Sequence, residues 1–292
     1  MSKKHPVIAV TGSSGAGTTT VKKAFEEIFH RQNIKPVIIE GDSFHRYSRK
    51  EMKKKVQQAQ KNRRNFSHFG FEANILKELE NTFKTYGETG QCKRRYYVHT
   101  KEKATSYGLN PGEFTTWENV GENSDLLLYE GLHGAIANEQ HDINIAQYAD
   151  LKIGVVPIVN LEWIQKIHRD TAKRGYKPED VTNTILRRMR DYVNVITPQF
   201  SQTDINFQRV PLVDTSNPFD SRVIPTSDES MVVIRFKDYR ALNIDFSYLQ
   251  SMLHRSWMSR RNTIVVPGGK MVLAMEVILH PIIKQMLNEK NR

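Results

Sequence analysis

The chain has 292 residues, 43 Lys+Arg against 32 Asp+Glu, a formal net charge of +11, 38% hydrophobic and 26% charged residues. That composition excludes a disordered or fibrous chain, and no apolar run reaches the ~18 residues of a membrane helix. The charge points to anionic partners without choosing among nucleic acid, a membrane surface and phosphorylated metabolites. A cytoplasmic protein is expected. Val7–Val10 stops at Thr11-Gly12, too short for a signal-peptide core, and Cys92 is the only cysteine, so no internal disulfide can form.

Short β-branched runs at Val7–Val10, Val37–Ile39, Leu126–Tyr129, Leu151–Val156, Val210–Val213, Met231–Phe236 and Thr263–Val266 predict strands buried on both faces of a mostly parallel sheet. Helical periodicity lies between them. Thr18–Arg31 places Val21, Ala24, Phe25, Ile28 and Phe29 on one face; Glu72–Tyr86 and Val181–Val195 repeat the pattern. A C-terminal stripe of Met271, Met275, Ile278 and Ile282 is expected to kink at Pro281. No repeat or linker divides the chain, so residues 1–292 read as one α/β domain, a mostly parallel central sheet flanked by helices. Residues 93–119 read as an irregular surface excursion, with Arg94–His99 adding an antiparallel hairpin. The Lys53-Lys54-Lys55 and Arg63-Arg64 runs read as solvated surface.

The first strand runs directly into Gly12-Ser13-Ser14-Gly15-Ala16-Gly17-Thr18-Thr19-Thr20 and then a helix. Glycines let consecutive N–H groups turn inward and the helix N-terminus adds positive potential, so the loop suits a polyphosphate. Its spacing matches GxxxxGK[ST] except that Thr18 replaces the lysine. A dinucleotide fingerprint from Gly15 fails because Thr20 stands where the third glycine belongs. A GxSxG elbow from Gly12 fails at Ala16. A loop without its lysine must take positive charge from elsewhere to neutralise a transferring phosphoryl.

Ligands of open α/β sheets bind beyond the carboxyl ends of strands, where Asp42 and Glu130 are delivered. A carboxylate at Asp42 can accept the proton of an attacking hydroxyl, although Asp is also common as a cap or turn residue. Glu130 stands where P-loop proteins hold Mg²⁺ jointly with a loop hydroxyl, here Thr19, with Asp42 the third candidate ligand. An ordinary exposed strand end is the alternative. In Leu161–Arg174, Lys166, Asp170 and Arg174 fall at i, i+4 and i+8 with Arg169 and Lys173 beside them. The face reads either as a solvated salt-bridged surface or as the cation source that Thr18 requires, on a lid at about 160–180 that closes over ATP.

The segments GSSGAGTTT, IEGDSFHR, FSHFGFEAN, YVH, LLLYEGLHG, ADLKIGVVPIVNLEWIQKIHRD, RGY, PQFSQTDINFQRVP, VDTSNPF and PGGKMVLAM together resemble the bacterial phosphoribulokinases, within the phosphoribulokinase / uridine kinase family of P-loop kinases. The resemblance implies a nucleoside-monophosphate-kinase-like fold and transfer of the γ-phosphoryl of ATP to O1 of ribulose 5-phosphate, with Mg²⁺. It implies Asp42 as catalytic base, His45 and Arg49 as sugar-phosphate residues, and Glu130 as the acid after the second key strand. Lys166 would act on the transferred phosphoryl, and Arg169, Asp170 and Arg174 belong to the lid and substrate segment. It also implies a homo-oligomer activated by NADH and inhibited by AMP, with Arg31, Arg187 and Arg235 as effector candidates. The plant disulfide switch is not expected, because Ala16 stands in the loop where plant relatives have cysteine.

Two other readings remain at this stage. A uridine-kinase-like protein shares the loop and base logic but normally keeps the lysine and has less use for His45, Arg49 and Arg174. A nucleic-acid-binding protein would account for the charge, but the basic runs lack interleaved aromatics and no helix-turn-helix or zinc spacing appears. An inactive P-loop protein is opposed by the joint presence of Asp42, Glu130, Lys166 and Asp170.

Overall fold

The computed structural model describes residues 4–12, 18–220 and 223–290, and within these the side chains of all but Thr18, Thr19, Lys173 and Arg174. The strands are β1 (Val7–Gly12), β2 (Pro36–Glu40), β3 (Cys92–Arg94), β4 (Glu118–Val120), β5 (Leu126–Gly131), β6 (Ala137–Asn138), β7 (Ile143–Asn144), β8 (Leu151–Val156), β9 (Ile205–Pro211), β10 (Ser230–Phe236), β11 (Trp257–Arg260) and β12 (Thr263–Pro267). The helices are α1 (Thr18–Gln32), α2 (Arg49–Lys61), α3 (Leu76–Thr89), α4 (Lys101–Tyr107), α5 (Val159–Arg174), α6 (Pro178–Asp191), α7 (Phe246–Met252) and α8 (Met271–Lys290).

One 8-stranded sheet has the order β11-β12-β10-β9-β8-β1-β5-β2. From β2 to β9 neighbouring strands are parallel; β10, β12 and β11 add antiparallel pairings. The alternation of β1 shows how the layers form. Ile8 and Val10 join α1 and α8 in one apolar layer, while Val7 and Ala9 join α3 in the other. Cover on both faces therefore accounts for the continuous apolar runs of the inner strands β1 and β5, whereas on the edge strand β2 Ile38 stays 43% exposed.

The antiparallel part differs from expectation in place and size. Its main contribution is β10–β12 on the sheet itself. In the excursion, the ladder falls on Cys92–Arg94 with Glu118–Val120 and continues as a Tyr97–Phe114 bridge, where the Thr115 amide donates to the Tyr96 carbonyl at 3.0 Å and the Val98 amide to the Glu113 carbonyl at 2.9 Å. The strand expected at Val210–Val213 is instead Ile205–Pro211. Its buried Ile205 and Phe207 alternate with polar Asn206 and Gln208, whereas Leu212 and Val213 are 62% and 41% exposed. Alternation, not continuity, was the signal for this strand because only one of its faces is apolar.

Helix α8 runs through Pro281 without a break. By length and composition it could cross a membrane, yet Ala274, Met275, Ile278, Leu279 and Ile283 are buried against α1 and the sheet. Helix α2, which periodicity missed, starts at Ser48 with a capping box closed by Glu51. Lys53, Lys54, Lys55, Arg63 and Arg64 are exposed, in line with the solvated reading.

Candidate active site

Strands β2 and β5 bring their ends together. Glu40 and Glu130 are partners in the parallel register, followed by Gly41 and Gly131. A Cβ on Gly41 would stand 2.7 Å from the Gly131 Cα and 2.6 Å from the Tyr129 hydroxyl, so only glycine allows this approach. Glu130 is also the register partner of Val10 in β1, two residues before Gly12, with Glu40 on its far side in β2. Burial and then the Glu40 charge push the Glu130 pKa up to about 7. Two neighbouring carboxylates are hard oxygen donors that fit Mg²⁺, and a cation bound there would favour the ionised form of Glu130.

After Glu40 the chain makes a 3-10 turn, Gly41–Phe44, which carries Asp42. Asp42 Oδ1 lies 3.2 Å from His45 Nε2, and Oδ2 lies 3.2 Å from His99 Nε2. Burial pushes the Asp42 carboxyl upward, but the two imidazoles outweigh it and hold the pKa well below the usual carboxylate range. His45 is 6% exposed. Its Nδ1 meets Asn74 Oδ1 at 2.8 Å, and the Asn74 amide donates to the His68 and Gly70 carbonyls at 2.9 and 2.7 Å. Those donations fix Asn74 Oδ1 towards His45, so both imidazole nitrogens face acceptors. Against burial, Asp42 and Asn74 raise the His45 pKa.

The second cluster lies on α5. Lys166 Nζ is 2.6 Å from Asp170 Oδ2, and Arg169 reaches Asp170 Oδ1 at 3.0 Å. Exposures of 13% for Lys166 and 5% for Asp170 exclude the solvated-face reading. Burial, and then the positive Arg188, pull the Lys166 pKa down to about 8. Burial likewise brings Arg188 to about 10; its guanidinium lies over Phe69 at 5.2 Å. The charges of Asp42 and Asp170 both act on Arg188, so the two clusters share one electrostatic field. Tyr176, in the α5–α6 connection, comes within electrostatic range of Tyr97 across the site.

The structure thus brings together Asp42, His45, Glu130, Lys166, Arg169 and Asp170. Arg49 is exposed at the first turn of α2, where its Nη2 donates to the His99 carbonyl at 3.2 Å. Ser13, Ser14, Gly15, Ala16 and Gly17, and the side chains of Thr18, Thr19 and Arg174, lie outside the described residues; Gly12 ends β1 and Thr20 is in α1. The effector candidates lie on three different elements. Arg31 pairs with Glu276 of α8 at 3.2 Å, Arg187 is on α6, and Arg235 lines a groove of about 440 Å³ on the sheet face away from α8. Sequence reasoning assigned no role to His99, Asn74, Arg188 or Glu40. Glu40 precedes Gly41-Asp42 as Glu130 precedes Gly131, a repeated strand-end acid that could have been noticed.

A sequence profile of the phosphoribulokinase / uridine kinase family matches residues 7–216. The chain is 61% identical over 295 residues to phosphoribulokinase 1 of Cereibacter sphaeroides, covering 99% of each chain. It is 58% identical over 293 residues to phosphoribulokinase of Nitrobacter vulgaris, covering 100% of both. The solved phosphoribulokinase from Rhodobacter spheroides superposes with a TM-score of 0.91 at 58% identity, covering 100% of both chains.

Proposed function

This chain belongs to the phosphoribulokinase / uridine kinase family, and we propose that it phosphorylates ribulose 5-phosphate at O1 with ATP, Asp42 serving as general base. The observation that carries the reading is the Asp42 carboxylate, held ionised between His45 and His99 at the end of β2. A carboxylate that stays ionised is always in its proton-accepting form, and it takes the O1 proton as the bond to the phosphoryl forms. Lys166, with Arg169 and Arg188 near it, supplies the cations that Thr18 does not, and stabilises charge on the moving phosphoryl.

Gly12–Thr20 would hold the ATP phosphates. Glu130, Glu40 and the Thr19 hydroxyl would hold Mg²⁺, with Asp42 a further candidate ligand from the turn after β2. Bound there, the ion would neutralise phosphate oxygens of the nucleotide. The single-domain reading assigns α5 and its connection to α6 as the lid over this pocket, and Arg49 with Arg174 to the sugar phosphate. His45, enclosed by protein acceptors, orients Asp42. The proposal retains a cytoplasmic homo-oligomer responsive to NADH and AMP. Arg31, Arg187 and Arg235 are the effector residues it would use.

The test is incubation with Mg-ATP and either ribulose 5-phosphate or uridine. ATP-dependent sugar bisphosphate with the first alone is expected; phosphorylation of uridine alone would shift the assignment to the uridine-kinase branch.

A further inference from the structure

The turn that carries Asp42 is only Gly41–Phe44, and so short a turn leaves carbonyls at its end without intrahelical donors. Arg95, from the excursion after β3, supplies them. Its Nε donates to the Ser43 carbonyl at 2.7 Å and its Nη2 to the His45 carbonyl at 2.8 Å. The guanidinium lies over Phe114 at 3.9 Å and Trp117 at 4.7 Å, and Trp117 in turn packs edge-on to Phe44 of the turn at 5.7 Å. Burial lowers the Arg95 pKa, and among the described residues no carboxylate offsets that cost. A cation kept without an acidic partner, forked across the carbonyls on both sides of Phe44, fixes the direction in which the turn presents Asp42. The same excursion delivers His99 to Asp42 four residues later.

We propose that Arg95 is a positioning residue for the Asp42 general base, acting through the Ser43 and His45 carbonyls. The inference rests on the reading of Asp42 as base. It also gives a function to the excursion, which clamps the catalytic turn from outside. Lysine cannot span both carbonyls, because it lacks the planar fork. A misplacement of about 1 Å at a reacting group can cost roughly 10²-fold in rate.

The experiment is steady-state kinetics of the full chain with Arg95→Lys and Arg95→Ala. Arg95→Lys is expected to lower kcat by at least about ten-fold while KM for ATP stays within about two-fold. Arg95→Ala is expected to recover several-fold in kcat on adding millimolar guanidinium, and not on adding urea at the same concentration. A purely structural role would lower melting temperature and activity together and show no guanidinium-specific recovery. That pattern, or turnover of Arg95→Lys within about two-fold of the parent, overturns the proposal. Asp42→Asn measured in parallel separates the two readings: near-normal turnover there removes the base, whereas intact turnover in Arg95→Lys removes only the clamp.

Discussion

Lys166 Nζ and Asp170 Oδ2 meet at 2.6 Å one turn apart on α5, with 13% and 5% of their side chains exposed. Burial and Arg188 pull the lysine down to about 8, and Asp170 opposes them. If the ammonium is the working form, kcat/KM falls as pH rises through about 8 and Lys166 loses its proton. Asp170→Asn removes the charge that raises the Lys166 pKa, so the alkaline limb moves to lower pH. Lys166→Arg, which does not titrate in this range, abolishes the limb at reduced kcat. A limb that stays in place in both variants belongs to another group.

Asp42→Asn is expected to reduce kcat by ~10²–10⁴, the usual contribution of a positioned base. That corresponds to ~3–5 kcal/mol of barrier, with ATP binding by calorimetry little changed. Arg49→Ala mainly raises KM for ribulose 5-phosphate. His45→Asn, because it removes an imidazole from Asp42 and leaves buried Asn74 without its partner, lowers kcat as well. Equal kcat and KM effects for His45 and Arg49 would deny this division.

The parallel half of the sheet was legible because β1 and β5 carry buried, continuous apolar runs and β8 breaks its own only at Lys152 and Gly154. Strand β9 was misplaced because its one apolar face leaves only alternation to read. Asp42, Glu130 and Lys166 could be found because they stand at strand ends or at helical spacing. Arg95 and Asn74 could not: their contacts with the Asp42 turn cross 52 and 29 positions of chain and reach backbone carbonyls or a ring nitrogen. No local spacing encodes such contacts.

Cys92 is buried in β3, and burial pushes its thiol up to about 11. Little thiolate exists at neutral pH, so reaction with oxidants or alkylating agents is slow. Turnover should be equal in dithiothreitol and in a disulfide oxidant, and Cys92→Ser should keep kcat. Reversible loss of activity on oxidation, absent in Cys92→Ser, would reveal a thiol control that this burial does not accommodate.

Glu40 and Glu130 repel each other across one rung of the β2–β5 pairing. Removing one charge relieves that repulsion in the metal-free protein but also removes an oxygen ligand. Glu130→Gln is therefore expected to melt a few degrees higher than the parent in a chelator, since ~1 kcal/mol moves Tm by roughly 2–4 °C in chains approaching this size. Mg²⁺ should stabilise the parent more than the variant, and the variant should need at least about ten-fold more Mg²⁺ for half-maximal turnover. Glu40→Gln should show the same signs, because either carboxylate can relieve the other. If both variants kept the parental Mg²⁺ requirement, the ion would be held elsewhere; if neither gained stability in chelator, the pair would not be under charge repulsion.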